Sequence, residues 1–104
     1  MSFDYEFDIL VDDIINDHIN YNEDVDDILH RKLDYYVSCN DYRKNIEIID
    51  DVVGDVFEAI KRYKNTYGDI NTDDCTKSQF YAMLTYCVLC DLLHAKLEVK
   101  IDDD

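Results

Sequence analysis

Residues 76–99 read TKSQFYAMLTYCVLCDLLHAKLEV. Between Phe80 and Leu93 only Thr85 and Asp91 are clearly polar. A helix that is apolar on nearly all sides belongs inside a protein, not on its surface. The segments before it are the reverse, acidic with a single apolar stripe each. Wrapping those stripes around Phe80–Leu93 buries them and turns the carboxylates outward. The expected product is an all-α fold, a compact bundle of about four helices with a buried C-terminal helix and an acidic surface.

Composition sets the same bounds. A chain of 104 residues makes a single helical domain over 1–104, large enough for a modest core. With no Pro and only Gly54 and Gly68, it lacks the punctuation of a multi-turn β fold. The net charge of −15 dominates everything else. Like charges at this density repel, and a fold that keeps them gains either solubility or an electrostatic partner. That balance argues against nucleic acid and anionic membrane surfaces as ligands and points to a basic protein. Met1–Tyr21 is acidic and lacks the basic n-region of a secretory signal. No stretch reads as the ~18–20 apolar residues of a membrane span. The expected location is the cytoplasm, with all four Cys reduced.

Periodicity places the helices. In Asp4–Tyr21 the residues Phe7, Leu10, Val11, Ile14 and His18 recur at steps of three and four. Glu23 to about Val37 carries the stripe Val25, Ile28, Leu29, Leu33 and Tyr36, with Asn22 or Glu23 as its cap. Asn40 is expected to cap a long third helix reaching Tyr67. There Tyr42, Ile46, Ile49, Val53, Val56, Ile60, Tyr63 and Tyr67 form nearly a heptad seam. The seam suits either the C-terminal helix or a second copy of the chain, as a homodimer. Gly68 is a natural C′ residue, and Thr76-Lys77-Ser78-Gln79 has the spacing of a capping box.

Candidate chemistry is sparse. Cys87-x-x-Cys90 lies mid-helix among apolar residues, where it reads as two small buried hydrophobes and not as a zinc or redox motif. His18, His30 and His94 are scattered over three helices, and no nucleophile stands beside a base at a recognised spacing. Of the Asp-rich stretches, only Asp69-x-Asn71-x-Asp73 alternates as a calcium loop does, and Thr76-Lys77 ends it. The reading is a protein that binds, with no catalysis, no metal and no cofactor.

The acids are concentrated. Residues 1–30 hold ten of them, Asp4, Glu6, Asp8, Asp12, Asp13, Asp17, Glu23, Asp24, Asp26 and Asp27, and no Lys or Arg. Six of these fall on the first helix over roughly 20 Å, about one charge per 4 Å of axis. A DNA strand carries one charge per ~3.4 Å of axis, and phosphate contacts supply most non-specific affinity. Carboxylates at i,i+4, ~6 Å apart, come within reach of phosphate spacing.

A local resemblance points the same way. Asp27, Ile28, Leu29, His30, Asp34, Val37 and Tyr42 are similar to a segment of Ocr-type phage antirestriction proteins and of many small phage proteins. The match covers about 20 residues; Arg31 stands where an acid is common and Ser38 where Pro is common. The resemblance implies an all-helical, often dimeric DNA mimic that occupies the DNA-binding channel of restriction enzymes or other defence complexes. On this reading the partner is a basic DNA-binding protein. Its contacts are the acids of residues 1–30 together with Asp34. The rival readings are a non-catalytic adaptor for a basic protein patch and a small self-associating helical protein.

Overall fold

The computed structural model describes residues 3–73 and 75–102, and the side chain of Asp102 is left out of the description. Among them are five α-helices and no strand: α1 (Phe3–Tyr21), α2 (Val25–Cys39), α3 (Tyr42–Val53), α4 (Val56–Tyr67) and α5 (Lys77–Asp102). The expected all-α class is observed. The expected third helix is two helices, and the reason is local. Gly54 takes φ +99°, which L side chains rarely adopt, and its N–H closes on the Asp50 carbonyl. Asp55 then caps α4 by accepting from the Glu58 N–H at 2.8 Å. A glycine stop followed at once by an acidic cap ends one helix and starts the next.

Two other caps also shift by a residue. Asn22 supplies a left-handed corner at φ 54°, and Asp24, not Asn22 or Glu23, caps α2 by accepting from Asp26 N–H. Asp41, not Asn40, caps α3 by accepting from Arg43 N–H. In both places a carboxylate one residue further on satisfies an orphan donor that the helix itself cannot. Gly68 ends α4 at φ +92°. The Thr76/Gln79 box is closed in both directions, at 3.1 and 2.9 Å.

α5 is the axis of the molecule. Its 26 residues run for about 39 Å at ~1.5 Å per residue, against a longest molecular dimension of 43 Å. By length and composition alone Lys77–Ile101 would suffice to cross a membrane, so the expectation that no such stretch exists is corrected. In this fold the other helices pack around it. Leu89, Cys90, Leu93 and Leu97 join Val11 and Ile14 of α1, Ile28, Leu29, Leu33 and Val37 of α2, and Ile48 of α3. Leu84 and Val88 meet Ile49 and Ala59, with Val53, Val56, Ile60 and Tyr63 around them. The middle of the seam, Ile49 to Tyr63, is therefore packed on α5, within the chain, while Tyr67 at its end is exposed. Burial of α5 is uneven: beyond Leu93 it becomes one-sided, and Leu92, Val99 and Ile101 are exposed.

One polar knot lies inside. Asn45 and Thr85 are fully buried. Asn45 donates to the Val37 carbonyl at 3.2 Å and accepts from the Asn40 amide at 3.1 Å. Thr85 donates to the Asn45 carbonyl at 3.3 Å. The knot ties the end of α2 and the start of α3 to the middle of α5. Asn45→Ala leaves the Val37 carbonyl and the Asn40 amide short of partners, so a loss of about 1–3 kcal/mol is expected. Urea titration followed by circular dichroism measures it.

Candidate partner-binding surface

α1 settles on the core through Val11 and Ile14, with Phe3, Phe7, Leu10 and Ile15 around them. That fixes where its acids point. Asp4, Asp8 and Asp12 recur at i,i+4 along one edge. Asp4 there lines a groove of about 780 Å³ with Asp51 of α3 and Lys96 of α5, and Asp12 lies 3.7 Å from Lys100. Glu6, Asp13 and Asp17 form the other edge, facing α2. The single ladder expected from sequence is thus two.

The second edge is largely neutralised. Asp17 lies 3.1 Å from Lys32 and 3.7 Å from Arg31. Arg31 also reaches Glu23 at 3.0 Å. Lys44, from α3, meets Glu6 at 2.5 Å, and that hydrogen bond raises its pKa. Tyr36 donates to the same carboxylate at 3.4 Å. Among the described residues no Lys, Arg or His lies within ion-pair distance of Asp4, Asp8, Asp13, Asp27 or Asp34. Asp24 serves as a cap and Asp26 receives the His94 ring, so both carry structural contacts as well.

Apolar groups stand among the acids. Tyr5, Ile9 and Tyr35 are exposed by 58, 45 and 73%. Together with Glu6, Asp13, Arg31 and Lys32 they line a groove of about 660 Å³ between α1 and α2. A phosphate ladder has no such groups, and these residues fall outside the apolar stripes that periodicity assigns to α1 and α2.

His30, Tyr86, Cys90, His94 and Asp26 converge between α2 and α5. His94 donates from Nε2 to Asp26 at 3.1 Å, and its Nδ1 lies 3.7 Å from Cys90 Sγ. The order Cys, His, Asp is that of a nucleophilic triad, but the chemistry is opposed to it. Burial, with Asp91 and Cys87 nearby, pushes the Cys90 thiol up, away from thiolate. His18, the third histidine, donates from Nδ1 to the Glu23 carbonyl at 2.7 Å and locks the α1–α2 turn. Among the described residues no three His, Cys, Asp or Glu side chains converge as metal ligands do.

Tyr86 stacks on His30, centroids 5.9 Å apart, and its hydroxyl bonds His30 Nδ1. Burial first, then Cys90, Tyr67 and Asp34, pushes its pKa up to about 12. The phenol therefore stays protonated at neutral pH. Cys87 and Cys90 are raised above the ordinary 9.0 of a thiol, chiefly by burial. Phenols and thiols raised in the folded state favour their neutral forms, so their contribution is complete below their unfolded pKa values. It is lost as pH climbs through the folded ones. Stability is expected to hold to near pH 9.0 and to decline toward about 12. Iodoacetamide under native conditions should alkylate exposed Cys39 and half-buried Cys75 well before Cys87 and Cys90. Mass spectrometry of time points reads the order.

No protein-family model, curated protein or solved structure matches this chain.

Proposed function

We propose that this chain is a non-catalytic, acidic inhibitor that binds a basic DNA-binding protein at its DNA site. The resemblance at Asp27–Tyr42 makes that partner a host defence complex of restriction-modification, BREX or CRISPR type, met in the host cytoplasm. The reading makes the protein a phage-type DNA mimic, with its acidic surface presented in place of phosphates. One observation carries it: α1 holds carboxylates on both flanks of its outer side along about 20 Å. Of these, Asp4, Asp8 and Asp13 have no base within ion-pair distance among the described residues. Unpaired carboxylates on a rigid helix offer a DNA-binding channel preorganised charge without the cost of ordering flexible side chains. Those already paired to Lys32, Arg31 or Lys44 must exchange partners and contribute less.

A second reading is favoured by Tyr5, Ile9 and Tyr35, exposed among the same acids. Aromatic anchors ringed by charge suit an adaptor that docks on a basic protein patch. Competition separates the two. A partner is captured from bacterial lysate, eluted by a salt gradient, and held at fixed concentration while duplex DNA is titrated in. Mutual exclusion with DNA, and a steep loss of affinity with salt, supports the mimic. A stable ternary complex of partner, DNA and this chain overturns it in favour of the adaptor.

A further inference from the structure

A groove of about 800 Å³ opens between α2, α4, Asn71 and Cys75 of the following loop, and α5. Tyr63, Tyr67, Tyr86 and His30 supply rings to its lining, and Asp34 supplies a carboxylate. Tyr63 and Tyr67 lie 4.9 Å apart with their planes tilted 44°, and Tyr86 stacks on His30. The lining contains no Lys or Arg. In this it differs from the other two grooves, which already hold Lys96 or Arg31 and Lys32.

From this charge asymmetry we infer that the groove is a docking site for an arginine side chain of a basic protein partner, with the guanidinium on the Tyr63, Tyr67 and Tyr86 rings and against Asp34. The chemistry is that of a cation over aromatic faces, completed by a carboxylate that guanidinium can bridge with two hydrogen bonds. The chain's own rings behave this way elsewhere. Tyr42 holds the Lys77 ammonium 5.0 Å and the Arg43 guanidinium 5.7 Å from its centroid. No such cation covers Tyr63, Tyr67 or Tyr86 among the described residues. The net charge of −15 draws cations toward the molecule, and Asp34 has no ion-pair partner among the described residues that an arriving arginine must displace. The site shares Asp34 with the contacts assigned to the DNA-site reading but none of its α1 acids, and arginine binding is tested without that reading.

The probe is acetyl-Gly-Arg-Gly-amide, with the citrulline peptide as its neutral isostere. Both are titrated at about 0.3 M salt, where screening suppresses diffuse attraction, and tyrosine ring resonances are followed by NMR. Shifts should concentrate on Tyr63, Tyr67 and Tyr86 and be absent with citrulline. Tyr67→Ala, at a ring 55% exposed at the end of α4, should weaken binding roughly 2- to 30-fold. Asp34→Asn should weaken it roughly fivefold. Replacing Asp4, Asp8, Asp12 and Asp13 by Asn should leave it within about twofold, because at this salt they are screened from the groove. Equal shifts with citrulline, no ring shift at millimolar peptide, or unchanged affinity in both single variants overturns the proposal. Loss of DNA competition with peptide binding intact would count against the DNA-site reading alone.

Discussion

Leu84→Asp is expected to leave the chain unfolded. Leu84 is fully buried, on the face of α5 that packs against Ile49 and Ala59, with Phe80, Tyr81 and Ile60 close by. A carboxylate there has no water and no base. An unpaired buried charge costs several kcal/mol, comparable with the whole stability of a small domain at about 5–15 kcal/mol. Leu84→Ala, which leaves only a cavity, should cost about 2–5 kcal/mol and still fold in part. Asp8→Asn lies on the exposed edge of α1 between Asp4 and Asp12. It should be neutral or mildly stabilising, since it relieves repulsion. Thermal melts of the three variants check the order. Similar damage from Leu84→Asp and Asp8→Asn would mean that α1 packs the other way round.

The largest functional effect is expected from replacing Asp4, Asp8, Asp12 and Asp13 together by Asn. These are exposed, and only Asp12 has a base within ion-pair distance among the described residues. Asp17 is left intact, because Lys32 and Arg31 hold it and its loss would disturb the α1–α2 contact. Each exposed carboxylate contributes little, so single variants should lose less than about tenfold in partner affinity. Four acting on one binding channel should lose roughly 30-fold or more, with a shallower salt dependence and an unchanged melting temperature. The control carries the same charge change elsewhere: Glu47→Gln with Asp50, Asp69 and Asp73→Asn, all exposed. Equal loss from the control would reduce the effect to bulk charge and remove the case for a site on α1.

The two variants probe different layers of one arrangement. α5 gathers the other helices on its apolar surface, and α1 turns its acids outward because Val11 and Ile14 must face that surface. Burial in this protein thus sets the direction of charge. The exposed tyrosines complicate a purely electrostatic surface, since Tyr5 and Tyr35 offer apolar contact where a phosphate backbone offers none. A partner that reads them would discriminate this protein from DNA itself.

Sequence by itself determined the class and the inner helix. Phe80–Leu93 is apolar on nearly all sides, and hydrophobicity is a property each residue carries wherever it sits, so the burial of most of it is legible without coordinates. The 3.6-residue period did the same for the stripes of α1 and α2, and the Thr76/Gln79 box closes as its spacing predicts. The helix break at Gly54 was open to the same reading, because Gly54-Asp55 is a stop beside a cap, but the continuous apolar seam outweighed it. Ion pairs were not legible. Lys44 meets Glu6 across 38 positions and His94 meets Asp26 across 68. Sequence counts ten acids and no Lys or Arg in residues 1–30, while the folded surface gives six of the eleven expected contacts a partner or a cap: Glu6, Asp12, Asp17, Glu23, Asp24 and Asp26. The buried Asn45 knot and the Tyr63–Tyr67–Tyr86 groove belong to the same category. Each is made of groups from different helices, and electrostatics, hydrogen bonds and ring contacts depend on distance in space, which only the packing of α1–α4 around α5 decides.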